Sequence, residues 1–166
     1  MSKPLVAILM GSDSDMPTMQ QASDLLKEFK IPHEVRILSA HRLPKETAAF
    51  AEGAERRGVR IIIAAAGGAA HLAGVVAAHT TLPVIGVPIE TKSLKGVDSL
   101  FSTVQMPPGV PVGTMAIGGA KNAALFALQI LSVKDGKLTQ RLSRYKKEMA
   151  KGVRLKDQKV GFRFPR

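Results

Sequence analysis

The chain has 166 residues, of which 45% are hydrophobic, with no cysteine and a formal net charge of +11. That is the length of one domain, able to bury a core and too apolar for a disordered chain. Disulfide frameworks, thiolate metal sites and cysteine nucleophiles are excluded, and the absence of cysteine fits a cytosolic setting.

The charge is unevenly placed. Residues 1–132 carry 12 Lys/Arg against 10 Asp/Glu, whereas residues 133–166 carry 12 against 3. The body is near neutral and the tail is basic, so any nucleic-acid reading rests on the tail alone.

The first apolar run, Leu5-Val6-Ala7-Ile8-Leu9-Met10, predicts a strand over 4–10. Met1-Ser2-Lys3 before it has the outline of a secretory leader. The run is too short for one, ends in acidic turn residues and lacks a small-x-small cleavage pattern, so no leader is expected. The run stops at Gly11-Ser12-Asp13-Ser14-Asp15, and a helix is predicted over 16–29, with Pro17 early in it where a missing N–H costs little. A second strand is predicted over 33–38. It is followed by Ser39-Ala40-His41-Arg42 and by a helix over 44–57, which starts at Pro44 and is closed by Gly58.

A third strand over 60–65 runs into Ala66-Gly67-Gly68-Ala69-Ala70-His71 and a short helix over 71–79. Strands over 83–87 and 112–117 and helices over 96–104 and 119–132 complete the body. The stretch Ile61–Ile89 holds 29 residues without a charge, long enough to cross a bilayer. It also holds Gly67-Gly68, His71, His79, Thr80-Thr81 and Pro83, so it reads as strand, loop, short helix and strand, and no membrane span is expected.

Continuous apolar runs alternating with helical segments predict an α/β fold, a three-layer doubly wound parallel sheet. Right-handed crossovers favour the flavodoxin-like strand order 2-1-3-4-5. In that order the loops after strands 1, 2 and 3 are neighbours, and these carry the three polar clusters. Beyond Leu131 the pattern changes. Leu138, Leu142, Tyr145 and Met149 form one narrow apolar stripe on a basic helix over 137–151. The predicted division is therefore a catalytic domain over 1–132 and a basic C-terminal helix and arm over 133–166. The helix is expected to pack on its own domain or a neighbouring subunit, and 152–166 is expected to be an arm.

Each cluster has a plain reading beside a chemical one. Ser12 and Ser14 suit a phosphate at a helix N-terminus, and one of Asp13 and Asp15 suits ribose hydroxyls, but Ser and Asp are also ordinary caps. His41 beside Arg42 offers a proton carrier and a phosphate fork, or a polar loop before a helix. Gly67-Gly68 permits close backbone approach to a ligand, or a tight turn. His71 reads more simply as flanking its helix than as catalytic. His33 and His79 have no evident partner and read as structural. The segment Ser99–Pro111 gains no chemistry from its pattern.

These clusters resemble, in order, the motifs of the PurE family of purine biosynthesis: GSDSD (11–15), SAHR (39–42), AGGAAHL (66–72), LPVIGVP (82–88), DSLFSTVQMPPGVPVGTMAIG (98–118) and NAALFALQIL (122–131). The similarity spans nearly all of 4–131. It implies a flavodoxin-like octamer without metal or organic cofactor, which moves a carboxylate from an exocyclic amine to carbon 4 of an imidazole ribonucleotide. Carried over, Ser12, Asp15 and Arg42 are the principal substrate contacts, and Ser14 and Ser39 help hold the phosphate. His41 is the catalytic proton carrier. Gly68, Ala69, Ala70, His71 and Leu72 line the pocket for the base and the migrating carbon dioxide.

The family's carboxylase branch, which takes carbon dioxide directly, carries Lys where this chain has Arg42, so Arg42 favours the mutase branch. Ala73 and Val75 depart from the family's usual Pro and Met. Nucleic acid and membrane are not expected partners. A signalling domain on this fold needs an acceptor Asp at the end of strand 3, where this chain has Ala66-Gly67-Gly68. A flavin carrier and a nucleic-acid-binding tail are the remaining alternatives of another class.

Overall fold

A computed structural model describes residues 3–161. Strands β1 (Val6–Met10), β2 (His33–Ile37), β3 (Ile61–Ala66), β4 (Val84–Pro88) and β5 (Gly113–Thr114) alternate with helices α1 (Met16–Glu28), α2 (Pro44–Arg57), α3 (Leu72–Ala78), α4 (Val97–Val104) and α5 (Ala120–Ser132), and α6 (Gly136–Val160) follows. The strands form one sheet in the order β2-β1-β3-β4-β5, and every pairing is parallel.

The sequence shows why the sheet is buried. All five residues of β1 and Ile61, Ile62 and Ile63 of β3 are wholly inaccessible, as expected of central parallel strands covered on both faces. Side chains alternate across the sheet. Ala7 and Leu9 of β1 join Ile62 and Ala64 of β3 in a core with Phe50, Ala51 and Ala54 of α2 and Leu72, Ala73 and Val76 of α3. The opposite face of β1 carries Val6, Ile8 and Met10, and α1 packs on this strand. Gly86 of β4 lets α4 lie directly on the sheet, because a Cβ there would collide with the Thr103 methyl and stand 3.0 Å from Val112 Cγ1.

Register brings the strand ends level. Met10 pairs with both Ile37 and Ala65, and Ala66 pairs with Pro88. The loops after β1, β2, β3 and β4 therefore leave one edge of the sheet at the same height, the edge where parallel α/β sheets bind ligands.

Some expected boundaries are corrected. The fifth strand, expected over 112–117, is regular only at Gly113–Thr114. Met115 N–H still donates to Gly86 O and Gly118 N–H to Pro88 O, so the segment follows β4 without keeping a ladder. The expected arm from 152 is helical as far as Val160. Its Arg, Leu, Lys and Gln residues favour a helix, and the lone Gly152 costs only about 1 kcal/mol against Ala. Residues 162–166 of that arm lie outside the described residues. The two histidines read as partnerless have partners. His33 Nε2 lies 2.9 Å from Ser23 Oγ, and His79 Nδ1 lies 3.1 Å from Glu52 Oε1.

The chain divides into two compact units between Ala127 and Leu128, within α5 rather than at its end. In the second unit Asp135 caps α6, its carboxylate accepting from Lys137 N–H at 3.0 Å and Leu138 N–H at 3.1 Å. Leu138 and Leu142 are buried, while Met149 is 47% exposed. No helix among the described residues is long and apolar enough to cross a membrane.

Candidate active site

A cavity of about 500 Å³ opens at the level edge of the sheet, within the range of about 300–1,000 Å³ typical of small-molecule sites. Its walls come from four loops. The first contributes Gly11, Ser12, Ser14 and Asp15, the second Ser39 to Arg42, the third Ala66, Gly67, Ala69, His71 and Leu72, and the fourth Ile89 and Glu90.

The first loop folds on itself. Ser12 caps a single 3-10 turn over Asp13–Asp15, its Oγ accepting from Ser14 N–H at 3.4 Å. Asp13 Oδ1 accepts from Ser14 N–H at 3.1 Å and from the Ser12 hydroxyl at 3.0 Å. Asp13 thus acts as the turn's own brace. Asp15 does something else. It is only 6% exposed and faces the cavity, and burial raises its carboxyl above the ordinary 3.8. A hydrogen bond from Ser14 and the backbone of Ser12 and Gly11 pull the other way, and the Asp13 charge adds to the rise. A carboxylate short of solvation is a good acceptor for a ligand's hydroxyls.

The second loop is tied to the first by Arg42. Its Nη2 donates to Gly11 O at 2.7 Å, and its Nε to Ser39 Oγ at 3.3 Å. The Arg42 backbone N–H also reaches Ser39 Oγ at 3.3 Å. A guanidinium has five N–H donors in a rigid fork, more than these partners use, so Arg42 is oriented by the protein and still equipped for an anion.

The second and third loops meet at two imidazoles. His41 Nε2 lies 2.9 Å from His71 Nδ1, the rings edge to face with centroids 5.0 Å apart. One nitrogen must carry the hydrogen and the other a lone pair. His71 does stand at the head of α3, as expected, but its side chain makes no cap hydrogen bond and is directed to His41. Both rings are exposed and line the cavity. Among the described residues, no group of three or more His, Asp or Glu is arranged to hold a metal ion.

The expected site residues Ser12, Ser14, Asp15, Ser39, His41, Arg42, Ala69, His71 and Leu72 thus lie on one cavity. The other two expected residues, Gly68 and Ala70, stand next to the lining residues Gly67, Ala69 and His71. Ala70 is 1% exposed, its N–H bonded to Gly68 O at 2.8 Å. Gly68 turns the chain with φ +67°, a conformation that favours glycine.

Sequence reasoning missed the residues that hold the third loop. Ser99 Oγ accepts from Gly68 N–H at 2.9 Å and donates to Ile89 O at 2.7 Å. Ser102 Oγ lies 3.2 Å from Gly68 O and shares its one hydrogen between it and the nearer Asp98 O at 2.8 Å. The available signal was a pair of small hydroxyl residues, Ser99 and Thr103, one helical turn apart on the buried face of α4.

With this geometry in view, the family profile described as AIR carboxylase matches residues 5–152. The chain belongs to that family. An N5-carboxyaminoimidazole ribonucleotide mutase from Pyrococcus horikoshii is 54% identical over 158 residues, covering 95% of this chain and 89% of that protein. A phosphoribosylaminoimidazole carboxylase from Saccharomyces cerevisiae is 52% identical over 160 residues, 96% of this chain but only 28% of the yeast protein. Among solved structures, PurE from Treponema denticola superposes with a TM-score of 0.86 at 31% identity, covering 96% of this chain and 99% of that one. The AIR carboxylase match takes in all four loops of the cavity and reaches into α6, which the motif resemblance did not.

Proposed function

We propose that the chain is an N5-carboxyaminoimidazole ribonucleotide mutase of purine biosynthesis, moving the substrate's carboxylate from the exocyclic nitrogen to ring carbon 4. The observation that carries this reading is the pairing of His41 with His71 on a cavity that is also lined by Arg42, Ser12 and Asp15. The cavity thus combines groups for an anion and for hydroxyls with a pair that can carry a proton.

The chemistry follows from those groups. His41 delivers a proton to the exocyclic nitrogen, the nitrogen–carboxyl bond breaks, and carbon dioxide is released. Ring carbon 4 attacks the carbon dioxide, and the proton it then sheds returns to His41, so no proton is gained or lost overall. Arg42, Ser12, Ser14 and Ser39 hold the phosphate, binding energy remote from the reacting centre. Asp15 accepts from ribose hydroxyls. The small residues Gly67 and Ala69 let the backbone close over the carbon dioxide and exclude water.

The decisive assay supplies purified protein with the carboxyamino ribonucleotide and no ATP, metal or bicarbonate. Formation of the carbon-4 carboxylate is expected. Strict dependence on bicarbonate with the uncarboxylated ribonucleotide moves the chain to the direct carboxylase, the activity in the yeast relative's name.

The same reading includes a cytoplasmic homo-octamer. Supporting an assembly, α4 turns Val97 (43% exposed), Phe101 (59%) and Val104 (47%) outward along one face, with Leu94 beside them, an apolar patch of the kind that marks interfaces. Exposed Met149 and Val153 on α6 suit docking on a neighbouring subunit. Sedimentation is expected to show a particle of eight chains, and cutting after Ser132 is expected to weaken it. An unchanged particle of unchanged thermal stability assigns α6 no part in assembly.

A further inference from the structure

We propose that Ser99, assisted by Ser102, is a positioning residue for carboxyl transfer, setting from α4 the wall that retains released carbon dioxide. The inference rests on the mutase reading and adds to it residues that lie outside the cavity.

Ser99 is wholly buried, and its hydroxyl has a defined polarity. It donates to Ile89 O at 2.7 Å, so a lone pair faces Gly68 N–H at 2.9 Å. Ile89 N–H in turn donates to Ala66 O at 2.9 Å. A closed circuit of hydrogen bonds therefore joins the end of β3, the loop after it, the end of β4 and α4. The peptide between Gly67 and Gly68 is planar and trans, so fixing its N–H on Ser99 turns the Gly67 carbonyl away from α4. The next carbonyl, Gly68 O, accepts from Ala70 N–H at 2.8 Å and lies 3.2 Å from the Ser102 hydroxyl, whose single hydrogen is shared with the nearer Asp98 O at 2.8 Å. His71 N–H then donates to Ala69 O at 2.9 Å, and His71 Nδ1 stands 2.9 Å from His41 Nε2. The path from Ser99 to the imidazole pair is thus a run of consecutive short bonds.

The helix supplying the clamp is itself secured. Thr91 Oγ1 donates to the Asp98 carboxylate at 2.8 Å and accepts from Gly96 N–H at 3.3 Å. Thr103 Oγ1 donates to Ser99 O at 2.8 Å. None of these groups grips the phosphate, whose proposed contacts lie on the first two loops. Losing the clamp therefore affects the fate of carbon dioxide more than substrate affinity.

The test is turnover of Ser99→Ala and Ser102→Ala in the full-length chain, with KM, kcat and the ratio of decarboxylated ribonucleotide to carboxylated product measured together. For Ser99→Ala, kcat is expected to fall about ten- to a hundredfold, since misplacing a catalytic wall by about 1 Å has costs of that order. KM should change little, and the decarboxylated fraction should rise as carbon dioxide escapes. Ser102→Ala, which removes a partly exposed hydroxyl and keeps the fold, should move the same ratio less. A wild-type ratio and kcat in both variants overturn the proposal, as does a loss confined to KM. Amide exchange at Gly68 and the imidazole nitrogen shifts of His41 and His71 are read on the same proteins. Faster exchange and altered shifts in Ser99→Ala support the clamp, and unchanged values overturn it. If the unaltered chain fails to convert the carboxyamino ribonucleotide, the mutase reading falls while these spectra still decide the clamp.

Discussion

The loop after β1 and the loop after β3 line the same cavity, yet the side chains that brace them come from different places. In residues 11–15 the bracing bonds span one or two residues, from Ser12 to Asp13 and from Ser14 to both. In residues 66–71 the fixing groups are Ser99 and Ser102, 31 and 34 residues from Gly68. The turn of the first loop is braced from within its own sequence, with Arg42 tying only its first residue, Gly11, from outside, whereas the second loop borrows its side-chain clamp from a helix. Damage to the first should stay local and damage to the second should spread to the imidazoles.

The largest expected effect is at the point where the loops' chemistry is joined. His41→Asn should keep the fold and lower kcat by about a hundredfold or more, the scale of a lost acid–base group, with substrate affinity little changed because the phosphate contacts remain. Steady-state kinetics on a variant with unaltered melting checks this. Near-normal turnover in the folded variant overturns His41 as the proton carrier.

Gly86→Ala probes the borrowed scaffold without touching the cavity. The added methyl runs into Thr103 of α4 and must displace that helix or strain the strand. Overpacking of this kind costs about 1–3 kcal/mol, measurable by denaturant unfolding. Any displacement of α4 carries Ser99 with it, so the decarboxylated fraction should rise too. Asp13→Ala is the matched change in the self-braced loop. Losing a cap-like carboxylate should cost about 1 kcal/mol and leave the product ratio where it was. If both variants leak carbon dioxide equally, the contrast between the loops is wrong.

The same contrast explains what could be read from the sequence. Parallel strands buried on both faces announce themselves as continuous apolar runs, so β1 and β3 were legible, and right-handed crossovers then give the strand order. Ser12 was legible because turn residues act on their neighbours, whereas the choice of Asp15 over Asp13 came only with the family resemblance. Arg42 and His41 were legible as chemistry, but their partners, the Gly11 carbonyl and His71, depend on register between strands. Ser99 looked like any small residue in a helix, since its role depends on α4 lying on Gly86. Gly68 and Ala70 are legible only through their motif, and the turn that Gly68 makes at φ +67° and the burial of Ala70 depend on the packing of α4 and α3. The fifth strand was overestimated because an apolar run beside β4 was taken for a full ladder.

The smallest effect expected is a gain, and it falls in the self-braced loop. Among the described residues Asp15 makes no ion pair, and burial holds its carboxyl above the ordinary 3.8. Between that value and its raised value in the folded chain, the folded state binds more protons than the unfolded one. Stability therefore falls as pH rises through this interval, and the deficit is complete above it. Asp15→Asn removes the ionisation and keeps an acceptor for Ser14. It should melt higher than the unaltered chain at neutral pH, and the difference should shrink to nothing as pH falls below about 3.8. Binding of the ribonucleotide should weaken at the same time, because a neutral amide accepts less strongly from hydroxyls. Denaturant unfolding over that pH range, with ligand titration at neutral pH, separates the two effects. A variant less stable than the parent at neutral pH would mean that the bonds from Ser14 and the backbone outweigh desolvation, and that the turn is built around the charge and not in spite of it.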